Sequence, residues 1–315
     1  MEKKNTLWAF CLKVLLLVVI LFGVDRLVGA AFVTMKDVAL NRNPYHEWTK
    51  TAYILDKCDA ECIVVGSSKA ERSYVTELLS DSLHLSIYNG GQGGCFFLFQ
   101  NCVINMLLDR GQTKQIIWDV QPECIAEGAT MQEYQNVRYL SPYYDSDTWA
   151  KAFVDSEDER AALKMTCHMF RYNSKLVQYV LPIVGGGKKT RGGYNPLPTS
   201  GYNYPEMNKD KEGSIEELKL DVEKLRVYEK TLERCREKGV ALTIFVSPSY
   251  IIKGTQYIGA VDKLSEIANK YGYELKDYSS APCFMGDNTL FKDAGHLNDK
   301  GARLYTETII SELKK

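Results

Sequence analysis

Two short segments at opposite ends of this 315-residue chain carry residue types suited to nucleophilic chemistry. Gly66-Ser67-Ser68 follows the apolar run Cys62-Ile63-Val64-Val65, and Asp293-Ala294-Gly295-His296 precedes a helical stretch. A serine on a strand-to-helix turn is presented at the carboxyl edge of a sheet, and its N–H, at a helix start, can stabilise an oxyanion. An aspartate three residues before a histidine on a turn can hydrogen-bond the ring, select its tautomer and stabilise its protonated form. Each segment also has a plainer reading. Ser67 or Ser68 can cap a helix, and Asp293 and His296 can belong to a solvated loop. The chain has four histidines, so any histidine base is His46, His84, His168 or His296, and multi-histidine metal sites are disfavoured. His46 follows the N-terminal apolar segment, His84 falls in a predicted strand and His168 in a predicted insertion, and these three read as structural or solvated. Lys69 and Arg72, just after Ser68, suit an anionic substrate, but helix-surface charges are the preferred reading.

The elements that must position these residues alternate. Residues 61–66, 83–89, 115–120, 241–246 and 273–278 read as strands, several closed by Gly or Pro. Helices are expected near 95–109, 215–238, 260–271 and 299–313, with two more near 147–153 and 157–180. Near-continuous apolar strands between helices predict an α/β fold, with a central parallel sheet covered on both faces. Ligands then bind at the carboxyl ends of the strands, where both segments fall.

Residues 123–213 interrupt the alternation and are expected to form an insertion, a lid or a binding loop. They contain Tyr134, Tyr139, Tyr143, Tyr144, Tyr172, Tyr179, Tyr194, Tyr202 and Tyr204. Tyrosine suits sugar rings, having a flat apolar face and a polar tip. Packing of the insertion onto the sheet is the preferred reading for most of them, with sugar contact open for a few. Two nucleotide motifs fail. A phosphate loop around Gly187-Lys188 would need glycine at Pro182 and Ser or Thr at Lys189, and the dinucleotide fingerprint beginning at Gly91 and Gly93 meets Phe96 at its third glycine.

The N-terminus carries a different signal. Leu7 to Val24 is apolar except for Lys13, long enough to cross a bilayer as a helix. Lys3 and Lys4 precede it while Asp25 and Arg26 nearly cancel after it, which predicts a tail over 1–6 in the cytoplasm, a span over 7–24, a linker over 25–55 and an extracytoplasmic domain over 56–315. Lys13 can snorkel to the headgroups. A cleaved signal peptide is the alternative, with small residues at Val28-Gly29-Ala30. With 39 Lys+Arg against 40 Asp+Glu, the formal net charge is −1, which argues against nucleic-acid binding through bulk positive charge. The nine cysteines are scattered singly, the pattern of small buried apolar residues, and assign no disulfide. Neither a cofactor nor a metal site is indicated.

At Ser68, Asp293 and His296 the sequence resembles the SGNH (GDSL-like) hydrolase superfamily. That family's Gly-x-Ser turn after strand one corresponds to Gly66-Ser67-Ser68. Its Asn-x-Gly-x-x-Gly block after strand two matches Asn89, Gly91 and Gly94, and its Asp-x-x-His block before the last helix matches Asp293 and His296. The resemblance covers about residues 60–314, apart from the insertion, and implies a three-layer α/β/α, flavodoxin-like fold. It implies a catalytic Ser68–His296–Asp293 triad, with an oxyanion hole made by the N–H groups of Ser68 and Gly94. The family's Gly-x-Asn after strand three is missing. Here Trp118-Asp119-Val120-Gln121-Pro122 stands there, and Gln121 is either a substitute oxyanion donor or a turn residue. That departure resembles the membrane-anchored branch of the superfamily, similar to the alginate O-acetyltransferases and the D-alanyl transfer protein of teichoic acid synthesis. The branch implies an esterase or O-acyl transferase acting on an acylated carbohydrate or envelope polymer, with a membrane-bound acyltransferase as a candidate partner. A catalytically degenerate scaffold serving polysaccharide assembly is the rival expectation.

Overall fold

The computed structural model describes residues 2–127, 129–186, 190–200, 219–250 and 256–314. The chain begins with one long helix, α1 (Glu2–Arg42). Every side chain from Leu7 to Val24 is exposed, and the helix is long and apolar enough to cross a membrane. From Asp25 onward the helix changes character. Asp25, Gly29, Ala39 and Leu40 are buried on one helical face, with Phe32 and Lys36 half-buried between them. The expected linker over 25–55 is therefore corrected: helical spacing of contact residues prolongs α1 until Asn43-Pro44, and α2 (Lys50–Asp56) follows, with Lys50, Thr51 and Ile54 buried.

Five strands form one parallel sheet. They are β1 (Cys62–Gly66), β2 (Ile87–Asn89), β3 (Gln115–Asp119), β4 (Ala241–Val246) and β5 (Leu275–Asp277), in the order β2-β1-β3-β4-β5. Side chains alternate between two cores, as a strand period of two requires. Cys62, Val64, Ile117 and Phe245 face α3 (Ser68–Ser73), α4 (Thr76–Leu83) and α13 (Asp299–Leu313). Ile63, Val65, Trp118 and Ile244 face α5 (Phe97–Arg110), α11 (Val222–Glu237) and α12 (Gln256–Lys270). Both faces are thus covered, which is why β1, β3 and β4 read as continuous apolar runs. The Trp118 indole N–H donates to Gln100 Oε1 at 2.9 Å, so its polar atom is satisfied inside the second core.

β2 is shorter than the expected 83–89. Leu83 ends α4, and His84 adopts φ 54° as its left-handed cap, so His84 is a helix terminator rather than a strand residue. The insertion holds five short helices among the described residues: α6 (Val137–Leu140), α7 (Thr148–Glu157), α8 (Ala161–Met165), α9 (His168–Tyr172) and α10 (Leu176–Val184). The single helix expected over 157–180 is broken into three, at Thr166-Cys167 and Asn173-Ser174-Lys175. α7 packs on α5, while α9 and α10 pack on the second half of α1. Tyr139, Tyr143, Tyr144, Tyr172, Tyr179 and Tyr194 are buried, in keeping with packing; Tyr134 is exposed, and Tyr202 and Tyr204 lie outside the described residues.

Candidate active site

β1 and β3 end level with each other, Gly66 pairing with Asp119, and β1 lies between β2 and β3. That is where the crossover direction changes, and the crevice beyond such strand ends is the expected ligand site of an open parallel sheet. The chain leaves β1 through Ser67, whose hydroxyl accepts from the N–H of Lys69 at 3.3 Å and so caps α3. Capping is therefore done by Ser67. Ser68, the first residue of α3, is left half-buried with its hydroxyl free for another task.

That hydroxyl meets His296. The His296 Nε2 stands 2.8 Å from Ser68 Oγ, although the two residues are 228 apart in sequence. On the other side of the ring, Nδ1 lies 2.8 Å from Asp293 Oδ1 and 3.0 Å from Oδ2. Asp293 also accepts from the N–H groups of Gly295 and His296, at 2.9 and 3.0 Å. Burial pushes the Asp293 carboxyl up, but those two N–H groups and the imidazole outweigh it and hold it below the usual carboxylate range. An ionised Asp293 keeps the proton on Nδ1, which leaves Nε2 as an acceptor for the serine proton.

The loop that carries His296 is fixed at both ends. Phe291 and Leu297 form an antiparallel bridge, and the Lys292 N–H donates to the His296 carbonyl at 2.9 Å. Asn298 then caps α13 by accepting from Gly301 N. Tyr250, beyond β4, donates its N–H to the Ala294 carbonyl at 3.1 Å.

The loop after β2 closes over α3. Asn89 is fully buried; its amide donates to the carbonyls of Ala70 and Tyr74, at 2.8 and 3.0 Å, and its Oδ1 accepts from Gly91 N at 2.9 Å. Gly91 presses against α3 so closely that a Cβ there would run into the backbone nitrogen of Glu71. Gly93 lies beside Ser68, where an added Cβ would be 3.9 Å from Ser68 Cβ. Gly94, the next residue, is exposed with φ 73°. Gln121 opens the 3-10 turn Pro122–Ile125, and its Oε1 accepts from the Cys124 thiol at 3.9 Å, a contact that suits a turn residue.

Several residues around the site escape a reading by type and spacing. Lys69 is not a helix-surface charge: it is buried, and its ammonium donates to Ser249 Oγ at 2.6 Å. Arg72 is half-buried and donates to the Asn195 carbonyl at 2.9 Å. Asp119, at the end of β3, is fully buried and accepts from Ser247 N at 3.3 Å. Burial pushes its carboxyl up to about 7, against the pull of Lys69 and Ser247. The one local signal for this group is a charged residue ending an otherwise apolar strand, Ile116-Ile117-Trp118-Asp119. None of the other histidines joins the site. His46 is buried and accepts from Trp48 N, and His168 packs against α1. Among the described residues no group of His, Cys, Asp or Glu is arranged to hold a metal ion, and none of the nine cysteines is in a disulfide.

No protein-family model matches this chain, and no curated protein matches it.

Proposed function

We propose that this chain is a membrane-anchored, extracytoplasmic serine ester hydrolase or O-acyl transferase of the SGNH type, acting on cell-envelope polysaccharide. The observation that carries the reading is the unbroken hydrogen-bonded chain Ser68–His296–Asp293 at the carboxyl edge of a parallel sheet. The strand order β2-β1-β3-β4-β5 is that of flavodoxin-like sheets and supports the fold assignment.

In this reading His296 Nε2 takes the Ser68 proton as Oγ attacks the ester carbonyl carbon. The carbonyl oxygen becomes an oxyanion, held by the N–H groups of Ser68 and Gly94, with the Gln121 amide as a third candidate donor. One such donor contributes about 2.7–4 kcal/mol of transition-state stabilisation, so a two-donor hole slows the reaction without abolishing it. When the C–O bond breaks, the imidazolium returns its proton to the departing alkoxide, leaving acyl-Ser68. His296 then deprotonates water, which gives an esterase, or a sugar hydroxyl, which gives a transferase. With side chains 29% and 48% accessible, His296 and Asp293 sit at an open surface, which suits a polymer better than a small enclosed substrate.

Lys3 and Lys4 ahead of the apolar span support a cytoplasmic N-terminus. Retention of the span is supported by Asp25 and Gly29, which pack against the insertion and would be lost on cleavage after Ala30. A fluorophosphonate probe is expected to label the wild type and not Ser68→Ala, with p-nitrophenyl acetate turnover following the labelling. A folded wild type that neither labels nor turns over supports the degenerate scaffold instead. Envelope glycans that gain acyl groups when Ser68 is replaced indicate an esterase, and glycans that lose them a transferase.

A further inference from the structure

The insertion meets the long helix where its apolar run ends. Asp25 is the first residue after Leu7–Val24, and its carboxylate accepts from the N–H groups of His168 and Met169 at 3.0 and 2.8 Å. Arg26 donates to the Thr166 carbonyl at 2.6 Å and lies 2.5 Å from His168 Nε2. Gly29 admits the His168 ring so closely that any Cβ would collide with it. At 1.5 Å of rise per residue, these contacts hold the start of α9 within about one helical turn of the last apolar residue of the run.

Apolar side chains stand uncovered on α8, α9 and the neighbouring turn of α1. Leu163 is 74% exposed, Met169 53% and Phe170 42%, and Leu27 on α1 is 74% exposed. Basic groups stand among them: the Lys164 ammonium is 5.8 Å from the centroid of the Phe170 ring, and the Arg26 guanidinium is 4.5 Å from that of Phe22. Apolar and aromatic groups beside long basic side chains, level with the end of a spanning helix, match the chemistry of the headgroup–acyl boundary. We propose that the face of α8 and α9 bearing Leu163, Met169 and Phe170 lies in that boundary, on the domain's side of the bilayer, as a second membrane contact beside the spanning helix. The occupant follows from continuity. A bilayer that encloses Leu7–Val24 already reaches this face, so no additional partner is required to cover it. The proposal rests on reading α1 as a membrane anchor.

The full chain in phosphatidylcholine–phosphatidylglycerol nanodiscs, with a phosphatidylcholine carrying an acyl-chain diazirine, tests it. After irradiation, lipid adducts located by mass spectrometry are expected within 7–24 and also within 160–171. In the variant Leu163→Ser/Met169→Ser/Phe170→Ser, adducts in 160–171 should fall to background while those in 7–24 persist and Tm is unchanged. Adducts confined to 7–24 in the wild type overturn the interfacial contact and leave the anchor standing. Adducts in neither segment overturn both readings. Crosslinks joining two copies of the chain through 160–171, in place of lipid adducts, assign the face to self-association and also overturn the proposal.

Discussion

Lys50 Nζ lies 3.4 Å from Glu71 Oε1, and both side chains are buried. Lys50 opens α2, just after the long N-terminal helix, while Glu71 sits on α3 three residues beyond Ser68. Asn195, from the far end of the insertion, donates to the same Glu71 oxygen at 3.2 Å, and Arg72 lies 3.7 Å from the other. Burial pulls the Lys50 ammonium down to about 8, with Glu71 opposing. For Glu71 burial acts upward, but Lys50 and Arg72 outweigh it and hold the carboxylate ionised. Two distant segments therefore meet at the helix that presents Ser68, and its placement depends on both of them.

Breaking this pair is expected to be costly. Lys50→Met leaves a buried carboxylate with less compensation, a loss of about 3–5 kcal/mol. Lys50→Met/Glu71→Leu should cost less than the single change, because the stranded charge goes too. Urea unfolding of the two single variants and the double variant measures the coupling, and additivity would show that the contact contributes nothing.

Asp119 makes a prediction about pH. Its carboxyl is raised to about 7 in the folded chain, against about 3.9 when unfolded. Between those values the folded state holds a proton that the unfolded state has released. Its contribution to stability is full below pH 4 and is lost as the pH rises to 7. Asp119→Asn should remove that slope, which is on the order of a few kcal/mol for a shift of this size. Unfolding midpoints of wild type and variant at pH 5 and pH 8 provide the test, and parallel curves would refute it.

Asp293 acts in the opposite sense. Its lowered pKa means that it stabilises the fold above the ordinary carboxylate range, and that this is lost as the pH falls through its lower folded value. Asp293→Asn should therefore flatten the acid limb of the stability curve. In the proposed ester hydrolysis the same change would free the ring to take the wrong tautomer, and a loss of about 10⁴-fold in kcat is expected by comparison with serine proteases. A variant that folds and keeps its rate would remove Asp293 from the mechanism.

Gly91→Ala tests the fit of the loop over α3. The added methyl has to displace backbone at Glu71, at a cost of about 1–3 kcal/mol. Probe labelling of Ser68 should weaken along with Tm. An unchanged Tm would mean that the loop yields freely.

Local spacing was enough to identify some of this architecture. Apolar runs mark β1, β3 and β4 because each is buried on both faces, and Asp293 reaches His296 because three residues span a single turn. The short β2 carries no such mark, since Leu83 to Ser86 has no feature that distinguishes a helix end from a strand start. Sequence alone determined the apolar N-terminal helix, the parallel α/β pattern and the candidate residues at the strand ends. These follow from steric and hydrophobic periodicities a few residues long. Only the tertiary structure decided that Ser68 meets His296 across 228 residues, that Lys69 is buried against Ser249, and that residues 25–42 are helix packed on the insertion rather than a linker. Such contacts depend on which surfaces exclude water together once the strands are ordered, and no local pattern encodes that choice.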